Sequence, residues 1–157
     1  FVWCLEHGYD PIIEMDADFS HDPFYLPQMI AECGACDVVI GSRAVAGGGE
    51  AGRGPLRRLI TAAAAVYLRC MLGVRDVRDP TSGFRCFRRS AMQAIRPHTL
   101  TAPGPAIVSE VLYRCRGLRI KEIPIRFQDR EKGRSKFGIK AMAESLRMAL
   151  RLRLRGR

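Results

Sequence analysis

The chain has 157 residues, of which 47% are hydrophobic and 27% charged, values typical of one folded domain that exclude wholesale disorder. Its net charge of +10 favours anionic partners such as phosphates or an anionic membrane surface. The six cysteines show one CxxC spacing, which excludes a paired zinc-ligand pattern and indicates reduced thiols. No apolar run approaches the ~20 residues that a membrane span requires.

Short apolar runs alternate with helix-like segments in the first third of the chain. Residues 1–7 are predicted to form a helix that Gly8 ends, and residues 24–33 form a second helix. Residues 11–15 are predicted to be a buried strand of the parallel type, and residues 37–40 a second buried strand. This alternation predicts an α/β fold with an open sheet.

The middle of the chain combines a glycine-rich stretch with a long helix. Residues 44–54 are predicted to form a flexible loop. Residues 55–72 are predicted to form a helix that Pro55 opens and Gly73 closes. We expect its apolar face to pack in the core rather than against a membrane; that face comprises Leu56, Leu59, Ile60, Ala63, Val66, Tyr67, Cys70 and Met71.

The second half is richer in cations. Helices are predicted at residues 90–95, 106–116 and 139–154, a strand at residues 119–127, and cationic loops at residues 76–89 and 129–136. The last helix is basic and amphipathic. Docking on the protein and lying in a membrane interface are both open interpretations of it.

Two carboxylates follow the first predicted strand. Asp16 and Asp18 flank Ala17, and like charges so close together repel each other unless a cation lies between them. Carboxylate oxygens suit Mg²⁺ or Mn²⁺, and such ions are often shared with substrate phosphates. The alternative is a turn in which both side chains cap backbone N–H groups. The pair alone does not decide between a metal site and a turn.

Four motifs in chain order carry a resemblance to a known family. They are residues 16–23 (DADFSHDP), 41–43 (GSR) with the glycines that follow, 79–85 (DPTSGFR), and 122–127 (EIPIRF) followed by Arg130, Gly133, Ser135 and Lys136. Together they resemble the dolichol-phosphate and polyprenol-phosphate mannosyltransferases, which are inverting family 2 glycosyltransferases with the GT-A fold. Each motif alone is weak, but the ordered set spans residues 8–139 and is specific.

The resemblance implies a mixed sheet flanked by helices, a GDP-mannose donor, and Mg²⁺ or Mn²⁺ as cofactor. By position, Asp16 and Asp18 would hold the metal and contact the donor. Ser20 would contact the donor; it stands where several relatives carry Gln as a further metal ligand, and the shorter serine would reach a metal only through water. Arg130 would close over the donor phosphates. Asp18 and Asp79 are the catalytic residues that the resemblance implies, with Asp79 lining the sugar site.

The implied acceptor is a polyprenyl or dolichyl phosphate. Arg43, Arg57, Thr61 and Lys136 match the positions that hold its phosphate. Guanidinium groups bind phosphate oxygens through two parallel hydrogen bonds. A phosphate monoester with a second pKa of about 6 is largely dianionic at neutral pH. It can therefore attack the anomeric carbon directly, with inversion, and has little need of a general base.

The resemblance also implies how the chain is divided. Residues 1–137 would be a GT-A domain without the N-terminal strand that binds the nucleotide in relatives, so we expect this chain alone to bind GDP-mannose weakly. Residues 138–157 would be a basic amphipathic helix and tail at a membrane surface. The expected location is the cytoplasmic face of a membrane, with a membrane-spanning partner as a further expectation.

Two other functions stay open. The first is transfer of glucose or an N-acetylated sugar from another nucleotide sugar to the same lipid phosphate. The second is a non-enzymatic basic module that binds a membrane or nucleic acid through its Arg-rich tail. The chain does not interleave aromatic with basic residues, which argues against a nucleic-acid partner.

Overall fold

A four-stranded mixed sheet lies at the centre of the protein, in a computed structural model that describes residues 1–51, 54–128 and 139–155. The strands are β1 (Ile12–Glu14), β2 (Val38–Ser42), β3 (Gly49–Glu50), β4 (Arg85–Phe87), β5 (Ile120–Pro124) and β6 (Arg126–Phe127). The helices are α1 (Val2–Glu6), α2 (Leu26–Cys33), α3 (Pro55–Leu72), α4 (Arg89–Ile95), α5 (Ile107–Arg114) and α6 (Ile139–Arg155). The strand order is β1-β4-β2-β5, and β3 and β6 form a separate pair.

The sheet is mixed because β4 runs against both of its neighbours. β1 and β2 are antiparallel to β4, whereas β5 is parallel to β2. The prediction that the first strand is of the parallel type is therefore wrong for its pairing among the described residues. β4 falls within residues 76–89, which were predicted to be a cationic loop because turn formers and cations are dense there, and that prediction is wrong for residues 85–87. The Arg85 side chain is fully buried and donates hydrogen bonds to the carbonyls of Val108 and Pro80 at 2.8 and 3.2 Å.

Helices cover both faces of the sheet. Alternate residues of β2 point to opposite faces. Val39 packs with Met29 and Cys33 of α2 on one side. Val38 and Ile40 pack on the other side, in the larger cluster to which α3, α4, α5 and α6 contribute. Burial on both faces explains why β2 is a continuous apolar run.

Helix α3 has the predicted bounds but buries a different face. Gly73 ends it with a left-handed φ of +69°. Leu68 and Leu72 are buried in the core, whereas Leu59 is 67% exposed and Val66 58% exposed. The prediction that Leu59 and Val66 lie in the core is therefore wrong. The helix is apolar on several sides, so hydrophobic periodicity alone could not select the face that packs against α6.

Helix α6 docks on the protein. It contacts α3 and α5, and its Ser145, Ala149 and Leu152 are buried. Leu150 and Leu154 remain exposed. Among the described helices, none is both long and apolar enough to cross a membrane. The domain boundary expected between residues 137 and 138 lies outside the described residues, within segment 129–138.

The glycine-rich stretch is folded over the end of β2 and is not simply a flexible loop. Gly47 has a φ of +86°. A Cβ added to Gly48 would lie 2.5 Å from the carbonyl oxygen of Ser42, so only glycine fits there without a shift. The chain then enters β3, which pairs with β6.

Candidate active site

The sheet topology gathers the predicted motifs at one edge. β1 and β2 both run against β4, so their carboxyl ends lie beside the amino end of β4. Asp16 and Asp18 follow β1, Arg43 follows β2, and Asp79 lies in the loop before β4. Ligands of α/β proteins commonly bind at such an edge.

The acidic motif forms a tight, hydrogen-bonded turn. One carboxylate oxygen of Asp18 accepts hydrogen bonds from the backbone N–H of Ser20 at 3.1 Å and from its hydroxyl at 2.5 Å. Phe19 between them has a left-handed φ of +64°, an uncommon backbone conformation for an aromatic residue, and its ring is exposed. The capped turn weighed against a metal site is thus present at Asp18. The metal role of Asp16 and Asp18 stays a prediction.

The donor set at this turn suits a hard cation shared with substrate. In the described ranges, no three His, Cys, Asp or Glu side chains come together as a metal-binding group. Mg²⁺ is commonly held by one or two carboxylates together with substrate phosphates and water. Asp16 and Asp18 fit that arrangement, with the donor phosphates as the remaining ligands. Ser20 is buried and donates its hydroxyl to Asp18. Its predicted contact with the donor stays a prediction.

His21 anchors this turn and was not predicted as a site residue. Its Nδ1 accepts the backbone N–H of Asp16 at 2.9 Å, which places the proton of the neutral ring on Nε2. The buried ring stacks on Phe84 at 4.8 Å and meets the edge of Phe127 at 5.7 Å. Burial lowers the pKa of His21, and this outweighs the opposing charge of Asp16. His21 was predicted to be a turn residue, because nothing in the sequence indicates that a polar residue inside a turn motif is buried.

Arg43 and Asp79 form a buried ion pair at the centre of the site. Nε and Nη2 of Arg43 donate to the two oxygens of Asp79 at 2.7 Å each, and the backbone N–H of Arg43 adds a third hydrogen bond at 3.0 Å. Nη1 of Arg43 lies 3.0 Å from a carboxylate oxygen of Glu50. The guanidinium lies 5.4 Å from the ring centroid of Phe127, which also touches His21. Phe127 therefore connects the ion pair to the acidic turn.

The hydrogen bonds to Asp79 make it a poor proton acceptor. Each of its oxygens accepts two hydrogen bonds, three from Arg43 and one from the Thr81 hydroxyl at 2.9 Å. Burial alone would raise the pKa of Asp79, but the hydrogen bonds and charge of Arg43 hold it below the ordinary value. The geometry favours a role for Asp79 in positioning Arg43 over proton transfer. The catalytic role of Asp79 stays a prediction.

A cleft of about 510 Å³ opens beside this pair. Its lining combines an apolar wall from α3 with charged and hydroxyl groups: Arg43, Ala44, Gly49, Glu50, Thr61, Ala62, Ala65, Val66, Arg69, Arg78, Asp79 and Thr81. Arg43, Thr61 and Asp79 of the predicted set are thus brought together. Arg130, Lys136 and the side chain of Arg57 lie outside the part of the chain that the structure describes.

Several polar residues at or near the cleft, Arg69 among them, were not predicted. Glu50 and Thr81 bind Arg43, Arg78 lines the cleft, and Glu122 holds the loop before β4. The carboxylate of Glu122 accepts the backbone N–H groups of Arg78 and Asp79 at 2.7 and 2.9 Å. Thr81 and Glu122 lie inside motifs that carried the resemblance, which was their only sequence signal.

These features define a class of protein before any comparison. It is a mixed α/β protein that collects carboxylate and guanidinium groups at one sheet edge, beside a cleft with one apolar wall. Such a cleft suits a ligand that is both apolar and anionic, because its two parts match the two kinds of lining.

Comparison with known proteins makes the class specific. The chain is 40% identical over 138 residues to the undecaprenyl-phosphate mannosyltransferase of Micrococcus luteus, an alignment covering 87% of the chain and 56% of that protein. It is 35% identical over 162 aligned positions to the polyprenol monophosphomannose synthase of Mycolicibacterium smegmatis, covering all of the chain and 60% of the relative. It is also 34% identical over 149 residues to the dolichol-phosphate mannosyltransferase of Pyrococcus furiosus, covering 94% and 42%. No family model matches the chain.

The chain is therefore homologous to the polyprenol-phosphate and dolichol-phosphate mannosyltransferases, and the resemblance drawn from its motifs is confirmed. It spans about half the length of the curated relatives it matches.

Proposed function

We propose that this chain provides the acceptor cleft and the acidic motif of a glycosyltransferase that moves mannose from GDP-mannose to a polyprenyl phosphate. The cleft carries the proposal, because it sets guanidinium and hydroxyl groups beside the apolar wall of α3. A lipid phosphate has a dianionic head and an apolar tail that match these two surfaces. The names of the homologues support the same reaction.

The chain's own residues act mainly by binding and orientation. The acceptor phosphate lies in the cleft, and the donor diphosphate lies at the turn of Asp16 and Asp18. A bound Mg²⁺ or Mn²⁺ at that turn would offset the negative charge of the departing diphosphate. The saturated hydrogen bonding of Asp79 supports a reaction without a general base. We therefore propose direct displacement with inversion, driven by positioning of a nucleophile that is already ionised.

The lipid acceptor implies a membrane surface as partner. Leu59, Ile60 and Val66 are exposed on α3, and Val66 also lines the cleft. A lipid tail can therefore leave the cleft along an apolar surface that continues to the outside of the helix. The net charge of +10 complements anionic headgroups. We propose that this face of α3 lies on the cytoplasmic face of an anionic membrane.

Mannose transfer tests the proposed reaction directly. The longest natural protein containing this chain is given labelled GDP-mannose and undecaprenyl phosphate, with EDTA, Mg²⁺ or Mn²⁺, beside UDP-glucose and UDP-N-acetylglucosamine as competing donors. We expect labelled mannosyl lipid that requires the metal and is lost in the Asp16→Asn, Asp18→Asn double variant. If sugar is transferred from a competing donor and not from GDP-mannose, the protein transfers that sugar, and mannose is the wrong assignment. If the double variant keeps membrane binding and no sugar is transferred under any condition, a basic binding module explains the protein.

Vesicle flotation tests the membrane face. The Leu59→Glu, Val66→Glu double variant should bind phosphatidylglycerol vesicles at least tenfold more weakly than the wild type. The Val2→Glu, Ile30→Glu double variant on α1 and α2 is the matched control, because it adds the same two charges at other exposed apolar residues. Equal losses in both variants would show that net charge, and not the α3 face, governs binding.

A further inference from the structure

We propose that Arg78 is a principal ligand of the acceptor phosphate in the cleft, an inference that rests on the proposed function. The residue was not among the predicted phosphate ligands. Its assignment follows from how the other cations of the described cleft lining, Arg43 and Arg69, are already engaged, and from how the backbone of Arg78 is held.

Arg43 is largely committed to other residues. Its Nε, Nη1 and Nη2 atoms all contact oxygen atoms of Asp79, Glu50 or Thr81 at 2.6–3.0 Å. Two carboxylates surround this guanidinium, so its hydrogen-bond donors are already directed at negatively charged oxygens. A phosphate that approached Arg43 would have to displace a carboxylate, at the cost of leaving that buried charge unpaired.

Arg69 is also held by the protein. Its Nε and Nη2 donate to the backbone carbonyl of Arg75 at 3.2 and 2.8 Å. That hydrogen-bonded edge of its guanidinium is not available to a phosphate. Arg69 therefore contributes positive charge to the cleft, but its Nε and Nη2 donors are already used, so it cannot bind a phosphate through that edge of the guanidinium.

Arg78 differs from both. It lines the cleft and is exposed, and its guanidinium makes no hydrogen bond or ion pair with the described residues. Its main chain is fixed, because Glu122 accepts the N–H groups of Arg78 and Asp79 at 2.7 and 2.9 Å. A fixed backbone with an unengaged guanidinium is the arrangement expected of a residue that binds an anion supplied from outside.

The charge of the cleft depends on this residue. Arg43, Arg69 and Arg78 stand against Glu50 and Asp79 in the lining, which leaves one positive charge. Without Arg78 the described lining holds equal numbers of positive and negative side chains. Arg43 and Arg69 contribute the same charge, but their guanidinium groups already donate to oxygen atoms of the protein, which leaves Arg78 as the described cation of the cleft best able to bind an added phosphate.

Binding measurements by isothermal titration calorimetry test the assignment. The probes are farnesyl phosphate for the whole acceptor, inorganic phosphate for the head alone, farnesol for the tail alone, and GDP for the donor side. We expect Arg78→Gln to weaken farnesyl phosphate at least about tenfold, the loss of one charge-assisted hydrogen bond, and to weaken inorganic phosphate as well. Farnesol and GDP should be unaffected. Arg78→Lys should lie between, because it keeps the charge and loses the fork.

Arg75→Gln is the matched control. Arg75 is exposed in the same loop, does not line the cleft, and contributes only its backbone carbonyl to Arg69. Its variant should bind farnesyl phosphate within twofold of the wild type. Equal weakening in both variants would overturn the assignment, as would an Arg78→Gln effect on GDP or on inorganic phosphate alone. If the wild type binds farnesyl phosphate and Arg78→Gln binds it equally well, the assignment of Arg78 is refuted but the proposed function stands. If the wild type does not bind farnesyl phosphate, the proposed function is refuted as well.

Discussion

Replacing Asp79 by Asn would test whether the Arg43–Asp79 pair organises the site. The amide keeps the size of the side chain but removes its charge. It also presents an NH₂ group where the carboxylate accepts hydrogen bonds from Arg43 at 2.7 Å. One donor of Arg43 then faces another donor. Glu50, at 3.0 Å from Nη1, stays as the remaining counter-charge.

The expected loss of stability follows from burial. The side chains of Arg43 and Asp79 are 11% and 5% exposed, so the pair is nearly desolvated. Removing one partner of a buried pair typically costs 3–5 kcal/mol. Because Glu50 still compensates Arg43 in part, we expect a loss near the lower end, about 3 kcal/mol. For a chain of this length that corresponds to a fall in Tm of roughly 6–12 °C.

The pH dependence gives an independent check. The pKa of Asp79 is held below 3.8 in the folded state, so its contribution is complete above that pH and is lost as the pH falls through the lowered pKa. The stability gap between wild type and Asp79→Asn should thus be constant from pH 8 to pH 5. It should narrow only below about pH 4.

Urea unfolding followed by circular dichroism measures both effects. Asp76→Asn is the matched control, because Asp76 is exposed in the same loop and loses the same charge. It should change stability by no more than about 0.5 kcal/mol. A loss below about 1 kcal/mol for Asp79→Asn, or similar losses for the two variants, would refute the reasoning that a buried pair holds the site together.

Three further predictions concern the frame around the cleft. Burial lowers the pKa of His21, so its contribution to the free energy of unfolding is full above about pH 6.5 and declines below it, by at most about 1.4 kcal/mol per pH unit. In urea unfolding between pH 7.5 and 5.5, His21→Gln should make this decline shallower. Parallel stability curves for wild type and variant would contradict the prediction. Glu122→Gln removes the negative charge that accepts the backbone N–H groups of Arg78 and Asp79. Because this loop lines the cleft, the KM for the lipid acceptor should rise several-fold, and the free energy of unfolding should fall by about 1–3 kcal/mol. An unchanged KM would refute the positioning role of Glu122. Gly48→Ala should lower the free energy of unfolding by about 1–3 kcal/mol, because the added Cβ would lie 2.5 Å from the Ser42 carbonyl oxygen. Gly49→Ala is the control and should change stability little, because its Cβ would have no atom within 4 Å. Equal effects of the two variants would show that the backbone shifts to relieve the clash.

The sequence by itself determined the features that depend on neighbouring residues. Pro55 and Gly73 mark the bounds of α3 because both act on their own backbone, through a preset φ and a left-handed φ of +69°. The ordered motifs indicated the homology, since their order along the chain needs no folded structure. Strand β2 was recognisable because burial on both faces requires an unbroken apolar run.

Only the tertiary structure decided the features that depend on distant residues. β4 is a strand because two separate segments pair with it, although it begins with a buried arginine. The buried face of α3 is selected by α6, about 80 residues further along the chain, as the bond between Tyr67 and the Leu146 carbonyl illustrates. Arg43 meets Asp79 across 36 residues, and no local pattern indicates that this guanidinium is occupied. The sequence could therefore name the charged groups of the site, but which of them remain available to a ligand depends on partners that only folding brings together.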